Sequence, residues 1–159
     1  MDLNRFALLE EVSVDLTRRR AEGASTAPLS HAIFDHHFPG LPLLPGVLQV
    51  ELVAQVAGQL ALALSGWERL PVLARVRDAR FRRPVQPGDR IHIFVELTAE
   101  GTTYGRYRGG LRIADRVVME AEVVLGARPF PSPAARQASL RAAASLGLAT
   151  PVTWADAVP

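Results

Sequence analysis

The sequence predicts an α+β fold in which one antiparallel sheet curves around a single long helix. Three observations carry this expectation. The segment GVLQVELVAQVAGQLALAL, Gly46 to Leu64, is apolar around most of its circumference. Four β-like runs follow it, and short turn signals separate them. Strands arranged this way after one helix wrap a single sheet around it.

Taken in order, Phe6 to Leu16 alternates polar and apolar residues through EVSVDL and reads as a strand. RRRAEGAS reads as a turn, and Thr26 to Ser30 as a short extended piece. A loop stiffened by Pro39, Pro42 and Pro45 precedes the helix, with Pro45 placed as its first-turn residue and Gly66 as its end. A membrane span is disfavoured by Gln49, Glu51, Gln55 and Gln59. The four runs are PVLARVRDARFRRPV, RIHIFVELTAE, TTYGRYRGGLRIA and RVVMEAEVVLGAR. Turns at Pro87-Gly88-Asp89, Glu100-Gly101 and Ala114-Asp115 suit consecutive antiparallel pairing, a meander. Beyond Arg128 the composition turns to proline and alanine. There Ser132 can cap a helix begun by Pro133 and reaching about Leu146, with Leu140, Ala143, Ala144 and Leu148 as a thin apolar stripe. The competing expectation is a tail lying loosely on the surface. The predicted organisation is one domain over 1–128 and an extension over 129–159.

Composition narrows the function. The chain has 159 residues and no cysteine, which removes disulfides, thiolate nucleophiles and zinc knuckles. Its basic residues are all arginine, 18 against 16 carboxylates, giving a formal charge of +2. No long basic run exists beyond Arg18-Arg19-Arg20, so no nucleic-acid partner is expected. The N-terminus shows no signal-peptide pattern, and a cytoplasmic location is expected.

The candidate chemistry lies in HHFPGLPLLPGVLQVE, His36 to Glu51. A carboxylate one turn into a nearly all-apolar helix is costly to bury alone, and a carboxylic acid kept protonated there can serve as a general acid. The bland alternative is that Glu51 emerges at the helix end or pairs with an arginine. Histidine is the commonest general base, and the prolines beside His37 fix its place. Gly46 starts the helix, where unpaired backbone N–H groups and the helix dipole favour a developing negative oxygen. Base, acid and oxyanion donor suit removal of a proton next to a carbonyl, followed by loss of a β-hydroxyl as water.

The run HFPGLPLLPGVLQVELVAQ, followed by ARFRRPVQPGDRI, resembles the 3-hydroxyacyl-acyl-carrier-protein dehydratases of bacterial fatty acid synthesis. The resemblance spans roughly Phe6 to Arg128. It implies a hot-dog fold, no cofactor, and a homodimer with two active sites at the subunit interface, in a family that also forms trimers of dimers. By motif position His37 would be the catalytic histidine, and Glu51 of the partner chain the catalytic acid. Gly46 would donate its N–H to the thioester carbonyl, the Leu43 carbonyl would orient His37, and Val47 and Phe81 would line the acyl tunnel. The partner would be acyl carrier protein bearing an acyl-phosphopantetheine substrate, met by Arg80, Arg82 and Arg83 at the tunnel mouth. His36 stands where the family has glycine, and the proline-rich tail is additional. Glu51 rather than Asp, with Val47 rather than Cys, points away from the related enzyme that also isomerises double bonds. These departures suit a specialised dehydratase.

Three other readings compete. A metal could sit among His31, Asp35, His36, His37 and Glu51. An acyl thioesterase could use the helix carboxylate on the same fold, although His37 argues against it. A non-catalytic acyl-binding subunit could keep the pocket without the chemistry.

Overall fold

In the computed structural model, residues 8–148 are described. Their elements are β1 (Glu11–Asp15), β2 (Arg20–Thr26), α1 (Ile33–His36), α2 (Gly46–Leu64), β3 (Leu70–Phe81), β4 (Arg90–Glu100), β5 (Tyr104–Ile113), β6 (Arg116–Arg128) and α3 (Pro133–Ser145). The strands form one antiparallel sheet in the spatial order β1-β2-β4-β5-β6-β3.

Helix α2 occupies the span its sequence marks. Pro45 stands just outside it as the N-cap, with an extended ψ of 140°. Gly66 takes a left-handed φ of 60° after the Ser65 C-cap, which ends the helix. By length and composition α2 could cross a membrane. The fold instead uses it as the core helix: Leu52, Val53, Val56, Ala57 and Leu60 are fully buried in one cluster with Ile93, Leu111, Met119 and Val123 of the sheet. Each large side chain removed from water in this way contributes about 1.5–3 kcal/mol.

The predicted turn at RRRAEGAS is corrected to a strand. Only Leu16 to Arg19 turn, with the Arg18 N–H donating to Asp15 Oδ1 at 2.9 Å and Arg19 at φ 55°. From Arg20 onward β2 pairs with both β1 and β4, placing Ala21, Gly23 and Ser25 inward. These inward residues are small because the strand runs tight against α2: a Cβ on Gly23 would sit 2.8 Å from Val56 Cγ2. The period of two was present, but in residues too small to register as hydrophobic alternation. The extended piece expected over Thr26 to Ser30 is not a strand beyond Thr26, and Ala27 instead bonds the Gln86–Asp89 turn. Strand β1 is shorter than the predicted Phe6 to Leu16, and Phe6 lies outside the described residues.

The meander is also corrected in part. Strands β4, β5 and β6 pair consecutively, but β3 pairs with β6 and forms the far edge. Its link to β4, residues 82–89, carries Pro84 and Pro87 and is too long for a tight hairpin. The Arg82 and Arg83 N–H groups both donate to the Val118 carbonyl, fixing the end of β3 against β6. As an edge strand β3 leaves Val72, Leu73, Val76 and Phe81 between 41% and 50% exposed.

Many arginines pair across strands. Arg77 and Arg106 share Glu122 at 3.6 Å each, Arg20 meets Glu96 at 3.2 Å, and Arg112 lies 4.3 Å over the Phe94 ring. Each exposed pair is worth about 0–1 kcal/mol, so they offset charge more than they hold the fold.

Helix α3 forms where its cap signal places it, with Ser132 Oγ accepting from the Ala135 N–H at 3.1 Å. It is not a loose tail. Leu140 and Ala143 are buried in a second cluster with Leu62 and Trp67, and Arg136 donates to the Trp67 carbonyl and pairs with Glu68, both at 2.8 Å. Ala144, expected in the apolar stripe, is exposed.

Gly23→Val should lower stability by about 1–3 kcal/mol through overpacking against Val56. Denaturant unfolding measures this, and an unchanged midpoint would show that β2 does not run tight against α2.

Candidate active site

The segment before α2 is held at several points. One helical turn, α1, anchors it through buried Phe34, a feature the reading of this stretch as loop did not anticipate. His37 follows directly, half-buried, with its ring stacked on Phe38 at 4.4 Å between centroids. The His37–Phe38 peptide is cis. Phe38 and Leu41 exchange backbone N–H···O bonds of 2.9 Å around a turn in which Gly40 takes φ 75°. The Leu43 N–H then donates to the His37 carbonyl at 2.8 Å, and the Leu44 N–H to the Val85 carbonyl at 2.8 Å. The contact between Leu43 and His37 is thus main-chain. Among the described residues no hydrogen bond joins the His37 ring to the Leu43 carbonyl that was expected to orient it.

Gln49 completes this bracing, a role the sequence reading, which used it only against a membrane span, did not assign. It is 4% exposed, and its Nε2 donates to the Leu44 carbonyl at 3.0 Å, while Oε1 has no hydrogen-bond partner among the described residues. The signal for it was available: residues 49, 52, 53 and 56 fall at i, i+3, i+4 and i+7, so Gln49 is a polar residue on the core stripe.

At the start of α2 the Gly46 and Val47 N–H groups have no intrahelical acceptor and lie at the positive end of the helix dipole. The Phe81 ring packs directly over Gly46, whose missing Cβ would stand 2.9 Å from it. This contact accounts for glycine at 46 and puts Phe81 beside the helix start. Val47 is 76% exposed. Arg80, Arg82 and Arg83 are exposed around Phe81 at the end of β3, and Arg82 bonds Glu120 at 2.8 Å through Nε.

Glu51 lies away from the core stripe. It is half-buried and accepts from Gln55 Nε2 at 2.9 Å, so the deeply buried lone carboxylate expected from sequence is not found within one chain. No hydrogen bond links Glu51 to His37 of the same chain among the described residues. For the metal reading, no three His, Cys, Asp or Glu side chains gather among the described residues, and His31 Nδ1 accepts from the Ile33 N–H at 3.1 Å. Asp35 and His36 are exposed.

Residues 13–112 match the family model of the ApeI-like proteins, described as ApeI dehydratase. The chain is 35% identical over 116 residues to the 3-hydroxyacyl-[acyl-carrier-protein] dehydratase FabZ of Novosphingobium aromaticivorans, covering 71% of this chain and 73% of that one. It is 36% identical over 117 residues to FabZ of Hydrogenobaculum, covering 72% and 79%. Among solved structures, the dehydratase heterocomplex ApeI:P of Xenorhabdus doucetiae aligns with a TM-score of 0.58 at 19% identity over 85% of this chain and 90% of that one. A hypothetical thioesterase of Streptococcus pneumoniae with coenzyme A aligns equally well, TM-score 0.58 at 13% identity over 77% and 93%. These two share the hot-dog fold and, at such identities, establish the fold alone. The family follows from the sequence relatives and from a matched segment that holds the braced histidine loop and the whole of α2: the chain belongs to the FabZ-type, ApeI-like hot-dog dehydratases.

Proposed function

We propose that this protein reversibly dehydrates (3R)-3-hydroxyacyl groups on acyl carrier protein to the trans-2-enoyl products. One observation supports the reading above the others. His37 sits on a loop braced directly into the N-terminus of α2, so a base and the two N–H groups at the helix start are held in fixed relation. The Gly46 N–H donates to the thioester oxygen and stabilises the negative charge that builds there. His37 removes a proton from C2, and Glu51 protonates the hydroxyl leaving C3. The C2–H and C3–O bonds break, the C2–C3 double bond forms, and water departs with no change of redox state.

Glu51 works from the second subunit of a homodimer. Within one chain it faces away from the core and bonds Gln55, and β3 offers a long sheet edge, with Val72, Leu73 and Val76 exposed among its charges, for pairing with another copy. Two-fold pairing gives two equivalent sites, each taking His37 and Gly46 from one protomer and Glu51 from the other. Arg80 and Arg83, beside Phe81, offer positive charge to the acidic carrier protein, with Arg82 already paired to Glu120. The thioesterase alternative draws on fold likeness only, whereas the relatives at 35–36% identity are named dehydratases.

The wild type should hydrate 2-enoyl thioesters and dehydrate 3-hydroxyacyl thioesters, with His37→Ala and Glu51→Gln each lowering kcat by about 10²–10⁴-fold. Release of free thiol by the wild type would favour the thioesterase, and equal turnover in all three proteins would remove the catalytic assignment.

Gln49 acts through the loop as a positioning residue. Gln49→Leu should speed hydrogen exchange at the Leu43 and Leu44 amides several-fold, corresponding to loss of a bond worth about 1 kcal/mol, and lower kcat more than it raises KM. Unchanged protection of both amides would show that the loop holds its shape without Gln49.

A further inference from the structure

Helix α3 lies outside the segment that matches the family model, yet it closes one side of a groove that begins at the candidate acid. The groove follows α2 from Glu51 past Ala54 and Gly58 to Leu62, eleven residues along the helix, or roughly 16 Å at 1.5 Å per residue. Its volume, about 360 Å³, is within the range of small-ligand sites. Ala142 and Leu146 form the α3 side, and Pro71 and Leu73 of β3 are also in its lining. Three other concave places among the described residues touch neither His37 nor Glu51.

We propose that α3 is the outer wall of the acyl site, with Ala142 and Leu146 setting the length and bulk of acyl chain accepted. This rests on the dehydratase reading. If Glu51 protonates the hydroxyl at C3, the acyl atoms beyond C3 leave the reacting centre on the Glu51 side, and the groove that starts there receives them. The occupant is therefore the distal part of the substrate's own acyl chain, lying on the protomer that supplies Glu51. The wall is fixed rather than loose. Arg136 ties α3 to Trp67 and Glu68, Leu140 and Ala143 are buried beneath it, and the Leu146 carbonyl accepts from the Val12 N–H of β1 at 3.0 Å. Room for a chain comes from small side chains at Ala54, Gly58 and Ala142. One larger residue on α3 therefore fills it.

The test compares kcat/KM for 3-hydroxydecanoyl and 3-hydroxybutyryl thioesters in full-length wild type, Ala142→Trp and Leu146→Ala, with thermal unfolding followed in parallel. Ala142→Trp should lower the decanoyl-to-butyryl ratio by about tenfold or more, the usual scale for one misfitting group in an apolar pocket. Leu146→Ala should raise that ratio, and should admit the decanoyl substrate if the wild type accepts only the butyryl. Where Ala142→Trp unfolds, Leu146→Ala carries the test. A ratio within about twofold of wild type in each folded variant overturns the proposal, as it would if a second copy of the chain filled the groove. Failure of the wild type on both substrates sinks the dehydratase reading itself, which keeps the two failures distinct.

Discussion

The burial of one face of α2 is the constraint on which the rest depends. Leu52, Val53, Val56, Ala57 and Leu60 are fully buried with the sheet's inward side chains, and this fixes the rotation of the helix about its own axis. Once that rotation is set, Glu51 cannot face the core, Gln49 cannot avoid it, and the Cβ position of Gly46 lies against the Phe81 ring. Gln49 turns a potential defect into a brace by reaching the Leu44 carbonyl. The same packing that stabilises the protein therefore positions the residues proposed to carry its chemistry, and a loss of core volume here would disturb both.

Sequence and structure agree where large side chains carry the pattern. Helix α2 and strands β4 and β6 were legible because their apolar residues are big and their ends are marked by Pro45, Gly66 and turn residues. Strand β2 was not, because its proximity to α2 admits only Ala21, Gly23 and Ser25 inward. The partner of β3 was not legible either, since its alternation is compatible with either neighbour and only the long 82–89 link hinted at a crossing. For the site, the motif from His37 to Glu51 stood out in the sequence, whereas the Phe81 ring over Gly46 did not. What periodicity could not give was the separation of His37 from Glu51 within one chain, which depends on how α2 is turned. Docking of α3 was equally hidden: Ser132 and Pro133 announce a helix, but its partner Trp67 is far away in sequence.

Two exposed features among the described residues differ in kind. Strand β3 presents unpaired backbone along with apolar side chains, which suits continuation of the sheet into a second copy. The groove beside α3 is floored by α2, where Ala54 and Gly58 leave room for a flexible apolar chain. A dimer through β3 would close the groove from the side opposite α3, enclosing an acyl chain between two rigid walls. The additional C-terminal helix then differs from an appendage in a definable way: it takes no part in proton transfer but limits which substrates reach it.

Mixing the two dead variants tests the shared site most directly. His37→Ala and Glu51→Gln chains, unfolded together and refolded at equal concentration, should regain about a quarter of wild-type activity. Half of the dimers are then mixed, and each mixed dimer rebuilds one intact site of two. Activity no higher than that of either variant refolded alone would contradict a site built from His37 of one protomer and Glu51 of its partner.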